Sequence, residues 1–304
     1  MSDTVASKNT GASAQPGEPL SCFAFSLGAY FLWGFMPLYM KAVAHIPAYE
    51  VVAHRILWSV PVAGIILVAL RRTADLRAAL RSPRTLALAA LTAGLISVNW
   101  GIYVWAISVD RTVETALGYY INPLVNILLG AVFLGERFNR LQAAAIALAV
   151  IAVGILTVKA GGLPWVSLAL ALSFGTYGYL RKTLPIGPTQ GFMLEVMILT
   201  PLALIVIGWL AATGEGHFLS EGLSGIGLLM LAGPVTALPL ILYAFGAKAL
   251  RFTTLGILQY IAPTIIFLIA VFVFGEPFSH WQLIAFLFIW SALALYTLSL
   301  FRRS

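Results

Sequence analysis

Apolar residues along this chain fall into blocks of about twenty, separated by short stretches that hold most of the charges, glycines and prolines. Roughly twenty residues of α-helix cross a hydrocarbon layer of about 30 Å, and no water is available there to satisfy an unpaired backbone. The blocks at 21–41, 49–70, 85–107, 113–134, 141–159, 164–181, 190–212, 223–247, 252–274 and 281–300 therefore predict ten spanning helices in an all-α polytopic membrane protein. The second block, with Glu50, His54 and Arg55 at its start, and the sixth, with Ser173, Thr176, Tyr177 and Tyr179, are the most polar.

Composition narrows the class. Of 304 residues, 61% are hydrophobic and 10% charged, where soluble proteins have about 25% charged; too few polar side chains remain for a water-facing surface. A net charge of +7 suits nucleic acid in principle, but the basic residues sit in short loops rather than along one face. They read as topology signals. With the N-terminus inside, the inner segments hold fourteen of them: Lys8, Arg71, Arg72, Arg77, Arg81, Arg84, Arg137, Arg140, Arg181, Lys182, Lys248, Arg251, Arg302 and Arg303. The outer loops hold Lys41, Arg111 and Lys159, so both termini are expected in the cytoplasm. Residues 1–20 lack an apolar pattern and are expected to be a disordered tail. The first block is too long for a signal-peptide core and is expected to stay as a span. Cys22 is the single cysteine, which leaves no intrachain disulfide and no thiolate metal site. No metal and no cofactor are expected.

The chain repeats itself. An offset of 140 residues places Arg111 on Arg251, Tyr120 on Tyr260, Pro123 on Pro263, Gly135 on Gly275, Glu136 on Glu276, Phe138 on Phe278 and Gln142 on Gln282 without a gap, so that GERFNRLQ and GEPFSHWQ are one motif used twice. Tyr103 falls on Tyr243 at the same offset, and Trp33-Gly34 on Tyr177-Gly178 with four residues of slack. The expected units are 21–160 and 161–304, five helices each. An odd number of spans sends the second copy into the membrane from the opposite side. Inverted repeats can exchange inward-open and outward-open states, which points to transport by alternating access.

Ionisable groups inside hydrocarbon are costly and are functional candidates. Glu50, His54 and Arg55 lie near the outer end of the second span; pairing with one another, anchoring at the interface and contact with a charged solute are all open to them. Glu195 is expected one turn inside the outer end of the seventh span, without a His-Arg partner beside it. Glu50 and Glu195 are the carboxylates available for ion coupling. Asn99 and Tyr103, four apart, and Tyr119, Asn122 and Asn126, spaced i, i+3, i+7, each share one helix face that should point into the bundle. Tyr243 and Tyr260 do the same in the second half, and Trp33 and Tyr177 sit between the glycine pairs Gly28/Gly34 and Gly175/Gly178. Pro123 and Pro263 are expected to kink their helices and free a carbonyl near the midplane. The candidate solute-binding set is thus Trp33, His54, Arg55, Asn99, Tyr103, Tyr119, Asn122, Tyr177, Tyr243 and Tyr260.

GAYFLWGFMPLYMK in the first span, EVVAHRILWS in the second, NWGIYVWAI in the third, ETALGYYINPLVNILLGAVFLGERF in the fourth and LGILQYIAPTIIFLIAVFVFGEPF in the ninth together resemble the drug/metabolite transporter superfamily, in its EamA domain branch and closest to RarD-type proteins. The resemblance implies two EamA repeats of five helices, a bacterial inner membrane, cytoplasmic termini and export of small organic solutes. Its related exporters handle amino acids, aromatic ones included, which suits a pathway rich in Tyr and Trp. Small-molecule solute and lipid are then the partners, with oligomeric state open; a passive channel or a drug or multidrug efflux permease remain alternatives. No H-E-x-x-H, G-x-S-x-G or nucleotide-loop pattern is present, so an enzyme is not expected.

Overall fold

In the computed structural model the apolar blocks are helices, because a run of aliphatic residues satisfies its backbone internally whichever way its side chains point. The structure describes residues 19–134, 139–159, 162–246, 250 and 258–301. The tail before Pro19, the GERF corner at 135–138, Lys248, Arg251 with the start of the ninth block, and the basic pair Arg302 and Arg303 lie outside the described residues. In chain order the helices are α1 (Leu20–Ala42), α2 (Ala48–Ala69), α3 (Thr73–Leu80), α4 (Pro83–Ser108), α5 (Thr112–Leu134), α6 (Arg140–Lys159), α7 (Trp165–Thr183), α8 (Pro188–Thr213), α9 (His217–Ser220), α10 (Gly222–Gly246), α11 (Ile261–Leu268) and α12 (His280–Phe301). Among the described residues seven of these are long and apolar enough to cross a membrane. Large apolar side chains stay on the outside, among them Ile65, Val68, Val132, Val150, Ile205 and Phe272. In water such a surface would aggregate; against lipid tails it needs no cover.

Local chemistry sets the helix ends. Ser82 accepts from Thr85 N at 3.3 Å to cap α4, with Pro83 in the first turn where its missing N–H costs nothing. Asn139 and Gln142 cap each other's backbone N–H groups at the start of α6 (3.1 and 2.8 Å), and Ser279 and Gln282 do so at α12 (2.7 and 3.2 Å). The paired glutamines of the repeated motif are therefore capping-box residues. Two short helices, α3 and α9, were not anticipated: both fall in polar connections where no apolar period announces a helix. The ninth block also differs from one plain helix. Its described part is α11 followed by a five-residue π-helix, Ile269–Val273, which ends at Gly275 with φ +68°. A left-handed turn of that kind suits glycine, and it returns Glu276 towards α5.

The most extensive packings join helices before residue 160 to helices after it: α6 with α12, α5 with α7, α2 with α8, α1 with α10, α2 with α10, α4 with α7 and α1 with α11. One aromatic core, Tyr120, Phe267, Phe278, Phe286 and Trp290, locks α5, α11 and α12. A second core gathers Met36, Met40, Val51, Tyr103, Ile107, Leu170 and Leu229 from α1, α2, α4, α7 and α10. Of the four glycines flanking Trp33 and Tyr177, Gly34 and Gly175 meet a neighbour closely enough (Ile265 and Val125, 2.8 Å from an added Cβ) to need their small size; Gly28 and Gly178 do not.

Candidate functional site

Arg55, near the start of α2, is the largest fully buried side chain among the described residues, 2% exposed. Its Nε donates to Thr236 Oγ1 of α10 at 3.0 Å, and its guanidinium lies 4.7 Å from the centre of the Trp100 ring of α4. Tyr39, Tyr103 and Tyr119, from α1, α4 and α5, surround it closely enough to interact electrostatically. Among the described residues no carboxylate pairs with it, and its Nη1 has no acceptor. A guanidinium stays charged under these conditions, and burying it uncompensated costs about 3 kcal/mol even on the mildest scales. Trp100 and Thr236 offset part of that cost. One donor is left over, in a neighbourhood that holds three tyrosines. Tyr103 and Tyr119 meet edge to face at 5.9 Å, and Tyr119 meets Phe174 of α7 at 6.1 Å.

Glu50, His54 and Arg55 do not pair with one another. Glu50, 1% exposed, accepts from His217 N (2.7 Å) and contacts His217 Nδ1 (2.8 Å), tying α2 to the start of α9. His54 accepts from Trp58 Nε1 at 3.2 Å and stacks on Phe218 at 4.9 Å. Glu50 and His54, four apart on one face of α2, both meet α9, whereas Arg55, about 100° round the helix from His54, turns to α10.

Glu195 of α8 is likewise buried, 1% exposed, but fully engaged: Thr92 Oγ1 at 2.7 Å, Tyr177 OH at 3.1 Å and Arg181 Nη1 at 3.3 Å. Two expectations change here. Glu195 has a cationic partner, Arg181, brought from the preceding helix rather than from its own. Glu195 and Arg181 are bonded and so lie at the same end of the bundle, which does not fit an outer expectation for one beside an inner expectation for the other.

The remaining expected residues separate into smaller groups. Trp33 and Tyr243 meet at 5.8 Å, with Tyr30 against both (5.5 and 5.9 Å), and Trp33 also packs on the core that holds Tyr103. Asn99 donates to Leu170 O (3.1 Å) and Ser173 Oγ (2.9 Å), a tie between α4 and α7. Asn122 is buried and its Oδ1 has no partner; it sits one turn along α5 from Tyr119. Tyr260 packs at the edge of the aromatic core. Pro123 lies within the continuous α5, and Pro263 in the first turn of α11. Among the described residues no group of three or more His, Cys, Asp or Glu side chains is placed to hold a metal.

Tyr30, Tyr39, Trp100, Thr92, Arg181 and Thr236 belong to these clusters and were not singled out from the sequence. One signal was available. The 140-residue offset also places Arg55 on Glu195, Glu50 on Gln190 and Pro61 on Pro201. Arg55 and Glu195 each reach a threonine across the bundle, on α10 and α4 respectively. Glu50 engages the short helix α9, and Gln190 donates to Asp75 of the short helix α3 at 3.0 Å.

A model of the EamA-like transporter family matches residues 20–158. An uncharacterized transporter of Vibrio cholerae is 42% identical over 272 residues, covering 90% of each chain. The protein RarD of Streptomyces exfoliatus is 41% identical over 273 residues, covering 90% of this chain and 87% of that one. A crystal structure covering 94% of this chain and 99% of its own superimposes with a TM-score of 0.60 at 21% identity, a likeness of fold.

Proposed function

This chain belongs to the EamA-like transporter family, of the RarD type, and from that membership we propose that it exports small organic solutes, amino acids or related metabolites, by alternating access. As a member it is a multi-pass membrane transporter and not an enzyme. The reading takes the fold as ten spans in two inverted repeats, 21–160 and 161–304, in a bacterial inner membrane with both termini cytoplasmic. The observation that carries it is the pairing of helices. Exchanging α1, α2, α4, α5 and α6 for α7, α8, α10, α11 and α12 turns α5–α7 into α11–α1, α1–α10 into α7–α4 and α2–α10 into α8–α4, and returns α6–α12 and α2–α8 to themselves; all of these packings are present. A bundle whose contacts survive that exchange can adopt two forms of similar energy related by a pseudo-two-fold axis, one open to each side, and a solute that binds in both is carried across as the bundle passes between them.

Contacts between helix ends support the same topology. Lys41 pairs with Asp110, Glu50 with His217, Glu276 with the start of α5, and Lys159 lies over Trp281, which gathers the expected outer ends. Asp75, Gln190 and Arg181 gather at the other end. Arg55 and Tyr103 are both 2% exposed, so this form is closed around them and a solute needs an opening motion to arrive.

Proteoliposomes test the reading. Radiolabelled amino acids should enter saturably and show counterflow with unlabelled solute; flux that rises linearly with concentration would instead identify a channel. Replacing Tyr103 by Phe or Asn122 by Ala should lower the rate about tenfold or more, the loss of one or two well-placed contacts, at unchanged expression. Unchanged rates in both variants would remove them from the pathway. Ion coupling in this reading is assigned to Glu50 and Glu195. Collapsing a proton gradient should slow export, and Glu195→Gln should erase that sensitivity; export that follows the solute gradient alone at every pH would end this assignment.

A further inference from the structure

We propose that Arg55 is the anchor for an anionic group of the transported solute, a carboxylate carried on an apolar or aromatic body; the assignment rests on the transporter reading above and names its substrate class. The positions equivalent to Arg55 and Glu195 in the two halves provide an internal comparison. Glu195 has every expected partner, a hydroxyl across the bundle, a phenol and a cation. Arg55 has the hydroxyl across the bundle and an aromatic face but no anion among the described residues, and its buried Nη1 is left without an acceptor. A buried donor on a permanent charge is an unfilled valence, and a negatively charged oxygen fills it best.

The surroundings limit which anion fits. Thr236 occupies Nε, so the fork through Nε is already used and an incoming anion must meet the terminal nitrogens, near Tyr39, Tyr103 and Tyr119. One uncompensated positive charge matches one negative charge; a phosphate dianion would bring an excess into a site with no second cation described nearby. Trp100 under the guanidinium and the Tyr103, Tyr119 and Phe174 rings beside it give an aromatic wall for the rest of the solute. Residues of five different helices, α1, α2, α4, α5 and α10, meet at this point, and a solute bound there contacts helices that must part or close during transport.

The test uses three probes that share one ring: 3-phenylpropanoate, L-phenylalanine and L-phenylalaninamide, of which the last lacks the carboxylate. With the purified full-length protein in detergent, both carboxylates should raise the unfolding temperature in a saturable way and the amide should not. Arg55→Gln should weaken 3-phenylpropanoate binding at least tenfold, and Arg55→Lys, which keeps the charge but not the planar donor set, severalfold. If both variants fail to fold, the comparison of carboxylate with amide on the wild-type protein decides. Equal stabilisation by the amide, no stabilisation by either carboxylate beyond a chloride control, or undiminished binding in Arg55→Gln would overturn the anchor. Should the carboxylates bind through Arg55 while none crosses proteoliposomes, the anion site stands and the export reading falls; should amide and carboxylates cross equally fast, export stands and the anchor falls.

Discussion

Gly233→Ala is expected to unfold on the order of 10 °C below the wild-type protein. A Cβ at this position of α10 would fall inside the van der Waals envelope of the Trp58 carbonyl group of α2 and 2.6 Å from the Trp58 Cβ. The carbonyl is backbone, so no rotamer change relieves the overlap and the two helices must separate. Overpacking costs about 1–3 kcal/mol when side chains can shift and more when they cannot. A cost of about 3 kcal/mol or more corresponds to a fall in unfolding temperature on the order of 10 °C. The displaced pair includes the Arg55–Thr236 contact, which spans the same two helices, so binding at Arg55 should be lost with it. Gly64→Ala is the control: nothing lies within 4 Å of its added Cβ, and its unfolding temperature should not fall. Thermal unfolding of the two purified variants by intrinsic fluorescence checks the contrast, and equal stability of the two would show that α2 and α10 have room to spare.

The second large effect is expected at Glu276. Its carboxylate is buried and accepts from the backbone of Thr112 (2.7 Å) and Val113 (2.8 Å), the first residues of α5, from a corner more than 160 residues away in sequence. These are N–H groups that no helix can satisfy for itself, and a negative charge at that end also meets the positive pole of the helix. Glu276→Ala orphans both donors and should cost about 2–4 kcal/mol. Glu276→Gln offers one acceptor oxygen without charge and should fall between wild type and alanine. Unfolding temperature gives the order, and an alanine variant as stable as wild type would mean that water takes over the cap. The same contact fastens α5 to the end of the π-helix, so Glu276→Ala should slow transport as well.

Much of the fold was legible because hydrophobicity is a property of each residue and its period survives without knowledge of neighbours. Every apolar block coincides with helix wherever it is described, and the 140-residue repeat was visible in the motif that supplies the capping pair Gln142 and Gln282. The short helices α3 and α9 were not legible: they carry no apolar period, and α9 is fixed by Glu50 from another helix. The candidate site was legible as a set of residue types and not as groups. Tyr103 and Tyr119 do meet, as do Trp33 and Tyr243, whereas Tyr177 joins Glu195 and Asn99 closes on α7.

The sequence by itself determined that this protein is a bundle of membrane helices, since length and apolarity are written along one dimension, as is the motif that recurs 140 positions on. Which ionisable groups are neutralised was decided only in three dimensions. Glu50 finds His217 across 167 positions and Glu195 finds Thr92 across 103, while Arg55 reaches Thr236 across 181 and still keeps a free donor. The physical reason is that the cost of a buried charge depends on the few atoms within hydrogen-bonding distance, and those atoms arrive from whichever helices the packing brings alongside.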